Sequence, residues 1–156
     1  MEAGQVIEPS AGEWIRCERS GRGGGAFEFL MELAPKKAGP PFHSHDEGDE
    51  TIAVTEGELL LQLVGEAKLL RAGERYTIPK GVPHTFANPS DTQVVKCQVE
   101  HGARFERALE QPDFTRLAMY LTFEDPGASR MWSRAVRWVL ALVAWSGRVR
   151  GVRVAG

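Results

Sequence analysis

The sequence predicts an all-β domain, a sandwich or barrel of many short strands, followed by a helical C-terminal extension. Two observations predict this class: short strand-like runs separated by glycines recur between residues 26 and 100, and the apolar spacing becomes helical after residue 101. The chain has 156 residues, the length of one ordinary domain. We expect an N-terminal segment with an early strand and a glycine-rich loop at residues 1–25, the barrel at residues 26–102 and the helical extension at residues 103–156.

The first strand of the predicted barrel alternates as a half-buried strand does. Phe27, Phe29 and Met31 share one parity, and glutamates occupy the other. Glycines and an Asn-Pro-Ser-Asp turn signal separate the later runs. These runs are residues 51–55, 58–64, 67–70, 75–79, 85–88 and 92–100.

The C-terminal extension is predicted to contain two helices. Apolar residues follow helical spacing over residues 114–121, and Asp113 is placed to cap the N-terminus of this helix. Ser129 is expected to cap the second helix and Gly147 to end it. The apolar stripe of the second helix is Trp132, Val136, Val139, Leu140 and Val143.

Charge and cysteine content exclude several classes of protein. The formal net charge is −2, so the chain lacks the overall positive charge that is typical of nucleic-acid-binding proteins. The two cysteines are too few for a disulfide framework, and the N-terminus lacks the apolar block of a secretory signal, so we expect a cytoplasmic protein. The charge is uneven: residues 126–156 carry six arginines and no acidic residue, which leaves a net charge of −8 for residues 1–125.

Two motifs that contain histidines are the candidates for chemistry. His43 and His45 are two residues apart, so both side chains point to one face of an extended strand, and Glu50 follows after four residues. A second cluster delivers His84 from a turn shaped by glycine and proline. Three neutral imidazoles and one carboxylate suit a first-row divalent metal ion. The flanking positions of the two motifs are Gly57 for the first and Gly73, Pro79, Gly81 and Asn88 for the second.

With these two motifs the chain resembles the cupin superfamily of small β-barrel proteins. The leading glycine of the first motif is absent, and Lys37 holds its position. The resemblance implies a double-stranded β-helix, or jelly-roll, barrel with His43, His45, Glu50 and His84 as metal ligands in its interior. It does not select among Fe, Mn, Ni, Cu and Zn.

Each of these groups of residues also has an interpretation that involves no metal ion and no chemical role. The barrel could keep the scaffold without the metal, its histidines hydrogen-bonded to one another. By parity, Ile52, Val54 and Phe86 are candidate walls of a pocket, but they are equally suited to core packing. His101 lies outside both motifs and is interpreted as a residue at a strand end or on the surface. The acidic residues flanking the ligands, Asp46, Glu47 and Asp49, are expected to be solvated loop residues.

The resemblance leaves the function open among three hypotheses. The first is a metal-dependent, dioxygenase-like enzyme acting on a small organic substrate, for which the sequence names no separate catalytic base. The second is a binding or sensory protein that holds a small molecule without turnover. The third is a sugar isomerase or epimerase, which needs an additional acid–base pair. For the Trp- and Arg-rich C-terminal helix we favour packing in a homodimer over contact with an anionic membrane surface, and we expect no nucleic-acid partner.

Overall fold

A computed structural model describes residues 1–125, 127, 130–131 and 133–154. It confirms a mostly β architecture with helices at the C-terminal end. The strands are β1 (Val6–Ser10), β2 (Glu13–Arg19), β3 (Phe27–Leu33), β4 (His43–Ser44), β5 (Glu50–Glu56), β6 (Glu58–Leu63), β7 (Glu66–Arg71), β8 (Arg75–Ile78), β9 (His84–Ala87), β10 (Val95–His101) and β11 (Arg130–Met131). The helices are α1 (Ala103–Leu109), α2 (Phe114–Met119) and α3 (Arg134–Val149).

The strands form two antiparallel sheets. One sheet has the order β1-β2-β3-β10-β5-β8, and the other has the order β11-β4-β9-β6-β7. Neighbours such as β3 and β10 are far apart in the chain, so the sheets combine crossovers with the hairpins β1-β2-β3 and β6-β7. This arrangement fits the jelly-roll barrel predicted from the sequence.

The main hydrophobic core is lined by alternate residues of these strands. In β10, Val95, Cys97 and Val99 are buried, while the residues between them are partly or fully exposed. Cys97 is therefore the buried apolar side chain that its parity predicts, and burial raises the pKa of its thiol to about 12. Cys17 is also buried, and both cysteines are free.

The N-terminal segment adds a β-hairpin to the larger sheet. The early strand predicted for this segment is followed by a second one, and β2 pairs with β3 along nearly its whole length. A 3-10 turn, Gly21–Gly23, then leads into β3. The fully buried Glu106 of α1 accepts hydrogen bonds from the Gly21 amide at 2.9 Å and the Ser20 hydroxyl at 2.8 Å, which fixes α1 against this turn.

The first predicted helix forms, but the sequence analysis missed the helix before it. Asp113 caps α2 as predicted, its side chain accepting a hydrogen bond from the Arg116 amide at 2.9 Å. α2 ends at Met119, and a π-helical turn continues to Glu124. The missed helix, α1, has only seven residues, too few for a helical period to stand out from the preceding strand pattern.

The predicted bounds of the last helix are wrong at both ends. Ser133, not Ser129, caps α3, accepting from the Val136 amide; Ser129 and Trp132 themselves lie outside the described residues. Gly147 does not end the helix. It is buried inside it, where a β-carbon would lie 2.7 Å from Met119 and Thr115 of α2, so its small size serves helix packing. The helix ends instead before Gly151, whose φ of 72° is the left-handed conformation of a C-terminal glycine.

Only one face of α3 is covered. Ala144 and Gly147 are buried against α2, whereas four large apolar side chains on the opposite face are 62–67% exposed: Trp138, Leu142, Trp145 and Val149. Within the described residues, no helix is both long and apolar enough to cross a membrane.

Gly57, a residue of the first motif, lies between β5 and β6 at a position where the backbone favours glycine. Its φ is +78°, and a β-carbon there would lie 2.6 Å from the Val94 carbonyl oxygen. We expect Gly57→Ala to lower the free energy of unfolding by about 2–4 kcal/mol. An alanine there is strained by the left-handed backbone conformation, and its β-carbon also clashes with the backbone of Val94. Gly65→Ala is the matched control, since φ is +80° but nothing lies within 4 Å, and should lose only about 1 kcal/mol. Equal losses in urea unfolding would show that the close approach to Val94 is unimportant.

Candidate metal centre

The four residues predicted as ligands come from three strands and one loop and meet inside the barrel. His43 begins β4 and His45 follows that strand, so the two side chains share a face as their spacing predicts. His84 begins β9 and pairs directly with His43 across the two strands. Glu50 begins β5 in the opposite sheet. All four are buried, with exposures of 1–6%.

The ligand atoms lie at distances that suit one ion. Nitrogens of His43, His45 and His84 are within 4.8 Å of one another, and so are ligand atoms of His45, Glu50 and His101. The Glu50 Oε2 atom links the two groups, at 2.9 Å from His84 Nε2 and 3.7 Å from His45 Nε2. Two ligands about 2.1 Å from a shared ion are separated by about 3–4 Å, so these atoms can share a centre.

Backbone hydrogen bonds set the tautomers of two of the imidazoles. His43 Nδ1 lies 2.9 Å from the Pro41 carbonyl oxygen, and His84 Nδ1 lies 2.9 Å from the Val82 carbonyl oxygen. A carbonyl oxygen can only accept, so each Nδ1 carries a proton, and in the neutral form of the ring each Nε2 keeps its lone pair. This is the arrangement in which metal-binding histidines are usually held.

Several buried atoms at the centre have no partner. Among the described residues, Glu50 Oε2, His84 Nε2 and His101 Nε2 are buried without a hydrogen bond. The Glu50 Oε2 and His84 Nε2 atoms face each other at 2.9 Å. Buried polar atoms without partners are rare because each is costly to desolvate. A cation among these atoms would satisfy them, so the residues present fit a metal ion.

The protonation states also suit a cation. Burial, together with the neighbouring imidazoles of His45 and His84, lowers the pKa of His43 to about 3. Burial alone raises the pKa of a carboxyl group, but the imidazoles of His84, His101 and His45 outweigh it, and the pKa of Glu50 falls below its ordinary value. At neutral pH the site therefore holds an ionised carboxylate and a neutral His43, the forms that bind metals.

Residues of the second motif support the ligands without facing them. The Gly81 amide donates to the His45 carbonyl oxygen at 2.8 Å, so the turn that delivers His84 is fixed to the strand end that delivers His45. Asn88, 2% exposed, donates to the Leu33 and Gln93 carbonyl oxygens at 3.0 and 2.8 Å. It thereby ties the end of β9 to β3 and to the loop before β10.

His101 is a buried histidine beside the ligands whose place there the sequence analysis did not predict. It is the last residue of β10, as one alternative predicted, but it is 3% exposed rather than on the surface. Its Nε2 atom lies 3.9 Å from Glu50 Oε2. Parity could have found it, because His101 follows Cys97 and Val99 on the inward face of β10.

The C-terminal arm, the described part of residues 103–154, contacts the barrel beside the site, where Phe105 packs on His45 and His101. β11 pairs with β4, where Met131 is opposite His43. Asp46 and Glu47 lie at the solvated edge of the site, as expected, and also contact the arm: Arg130 bonds the Asp46 carboxylate at 2.8 Å, and the Arg104 amide donates to Glu47 at 2.7 Å. Asp49, by contrast, is exposed and accepts from the Lys80 amide at 2.9 Å.

The three predicted pocket residues lie in the hydrophobic core. Ile52, Val54 and Phe86 are 0–7% exposed and belong to the main core cluster. Their service as walls of a substrate pocket stays a prediction. A groove of about 920 Å³ lies elsewhere, between α1, the π-helical turn and the chain end, and none of the four predicted ligands lines it.

Comparisons with known proteins agree with this fold. A family model described as "Cupin domain" matches residues 29–99. Quercetin 2,3-dioxygenase of Bacillus subtilis is 38% identical over 63 residues, which are 40% of this chain and 19% of that protein. The HTH-type transcriptional regulator PuuR of Escherichia coli is 43% identical over 44 residues, which are 28% of this chain and 24% of that protein.

Solved structures show the same fold. A cupin-like protein of Thermotoga maritima superposes with a TM-score of 0.54 at 19% identity, covering 66% of this chain and 80% of that protein. At this identity the likeness shows the fold alone. This chain covers about a fifth to a quarter of the length of the two curated relatives, so their activities do not transfer with the match.

Proposed function

Because this chain belongs to the cupin superfamily, we propose that His43, His45, Glu50 and His84 hold one divalent transition metal ion inside the barrel. The observation that carries the proposal is the convergence of buried ligand atoms, with Glu50 Oε2 and His84 Nε2 lacking a hydrogen-bond partner among the described residues and the imidazoles of His43, His45 and His84 within 4.8 Å of one another. Imidazole and carboxylate donors accept Fe, Mn, Ni, Cu and Zn. When bound, such an ion supplies Lewis acidity and, if it is redox-active, electron-transfer chemistry.

We further propose that the protein is a metal-dependent, dioxygenase-like enzyme for a small organic substrate. The similarity to a quercetin dioxygenase supports this class. In this proposal the four ligands hold the ion, the apolar side chains of Ile52, Val54 and Phe86 exclude water from the reacting groups, and the arm over the barrel mouth opens to admit substrate.

A sensory or binding function is the second candidate, and one observation favours it. The arm closes the site, with β11 paired to β4 beside His43, so occupation of the site is linked to the position of the C-terminal helices. The similarity to the regulator PuuR points the same way. In this alternative the protein binds a small molecule at the metal and does not turn it over.

The metal proposal predicts stoichiometric binding that depends on the imidazoles. Metal-free protein should take up one equivalent of Zn²⁺ or Ni²⁺, and its unfolding free energy should rise by about 2.7 kcal/mol at a hundred times the dissociation constant. His84→Ala should lose most of this gain. Asp49→Asn, an exposed carboxylate of the same loop, is the control and should behave as wild type. Elemental analysis and thermal unfolding provide the measurements; equal metal content in His84→Ala and wild type would contradict the proposal.

The enzyme proposal predicts oxygen consumption. Iron-loaded protein should consume oxygen with at least one member of a panel of phenols, diols and thiols, and His84→Ala should show none above the protein-free rate. An oxygen electrode with product analysis measures this. Tight binding of a panel member, seen by calorimetry without oxygen consumption, would reject the enzyme and support the sensory alternative.

We propose that the exposed face of α3 is covered by a second copy of this chain. The face combines an apolar row with arginines, and residues 126–156 carry six positive charges against −8 on the rest of the chain. The acidic barrel of a second copy therefore complements it in charge.

The free, buried cysteines support the cytoplasmic location expected from the sequence.

The assembly is tested on the exposed row itself. The double variant Leu142→Glu and Trp145→Glu should convert a dimer to a monomer, because both side chains are more than 60% exposed and their replacement removes apolar contact area. Trp14→Glu, on β2, is the control and should keep the wild-type mass. Size-exclusion chromatography with light scattering is the measurement. A wild-type monomer, or a double variant that remains dimeric, would overturn the proposal.

A further inference from the structure

His101 occupies a position that neither motif explains. It ends β10, is 3% exposed, and pairs across the sheet with Phe27. Its ring lies edge-on to that of His45, with centroids 4.1 Å apart, and stacks on Phe105 of α1 at 4.3 Å. The imidazole is thus enclosed between the candidate metal centre and the arm.

The orientation of the ring matches that of the ligands. His101 Nδ1 lies 3.3 Å from the Gly102 carbonyl oxygen, as His43 and His84 place Nδ1 on nearby carbonyl oxygens. The proton therefore belongs to Nδ1, and the lone pair of Nε2 is left on the side of Glu50, 3.9 Å away. All three rings are held by the same means and leave the same atom for the centre.

Core packing alone does not account for this residue. His101 Nε2 is buried and has no hydrogen-bond partner among the described residues. A leucine or phenylalanine at the end of β10 would fill the same space beside Phe105 without an unsatisfied nitrogen. A ligand atom, in contrast, must be buried, lack a hydrogen-bond donor and face other ligand atoms, and His101 Nε2 groups with His45 and Glu50 within 4.8 Å.

We propose that His101 is a fifth protein ligand of the metal ion, an inference that rests on the metal site proposed above. The donor set is then four imidazoles and one carboxylate. This set favours Zn, Cu, Ni or Fe over the oxygen-preferring Mn. It also leaves one exchangeable position on a six-coordinate ion, so the site accepts a ligand through a single donor atom and does not accept a bidentate chelate.

A crystal structure of the Zn²⁺-loaded wild-type protein tests this directly. We expect the anomalous peak of zinc about 2.0–2.1 Å from His101 Nε2, as from the other ligands. A zinc ion bound by His43, His45, Glu50 and His84 but more than 3 Å from His101 would overturn the inference and leave the metal proposal standing. Zinc absent from all of these residues at saturating concentration would overturn both.

Affinity gives a second, independent readout. His101→Phe keeps an aromatic ring against Phe105. In a chelator competition it should weaken Zn²⁺ binding by about tenfold to a hundredfold or more, because the loss of residues that only support a ligand already costs this much. His101→Gln checks that the loss follows from the imidazole rather than from packing, and should be weakened similarly. Circular dichroism of the metal-free variants controls for folding. Wild-type affinity in either folded variant would contradict the inference.

Discussion

The structure depends on the burial of a polar cluster inside an apolar barrel. Glu50 and the imidazoles around it lie among side chains of the main core, where an unsatisfied polar atom is costly. Such a cluster is retained only if its members are compensated, and the local structure compensates one side of the rings. The Nδ1 atoms of His43 and His84 donate hydrogen bonds to backbone carbonyl oxygens. The Nε2 atoms of these rings therefore need a partner at the centre of the cluster. A cation is the simplest group that serves as this partner for all of them together.

The sequence predicted those parts of the fold and site that depend on local spacing. Alternation gave the barrel strands, and the two motifs identified four residues that the structure brings together, because parity and turn residues act over a few positions. It did not place His101 beside Glu50, since that contact requires β10 to pair with β5, a register set by the whole sheet. Gly147 was interpreted as a helix end because its contact with Met119 of another helix is invisible in sequence.

The uneven charge of the chain has a partly intramolecular explanation. Arg130, in the basic segment, bonds to Asp46, the residue that follows His45 in the chain. Ion pairs of this exposure contribute only about 0–1 kcal/mol each, so they orient the arm more than they hold it. The pairing of β11 with β4 is only two residues long. Local openings of proteins occur where buried contacts are few, which makes β11 the part of the arm that can separate from the barrel, whereas α1 is fixed by the fully buried Glu106.

This weak attachment reconciles a closed site with a small-molecule function. The ligands are buried in this structure, and exclusion of water strengthens electrostatic interactions within a site. In the functions proposed above, substrate enters when β11 leaves β4, and this movement also shifts the helix that follows it in the chain. Catalysis and signalling would therefore use the same movement: an enzyme needs the arm to reopen after each reaction, whereas a sensor needs the open and closed positions to differ in what α3 presents. The stability of the closed arm with ligand bound separates the two functions.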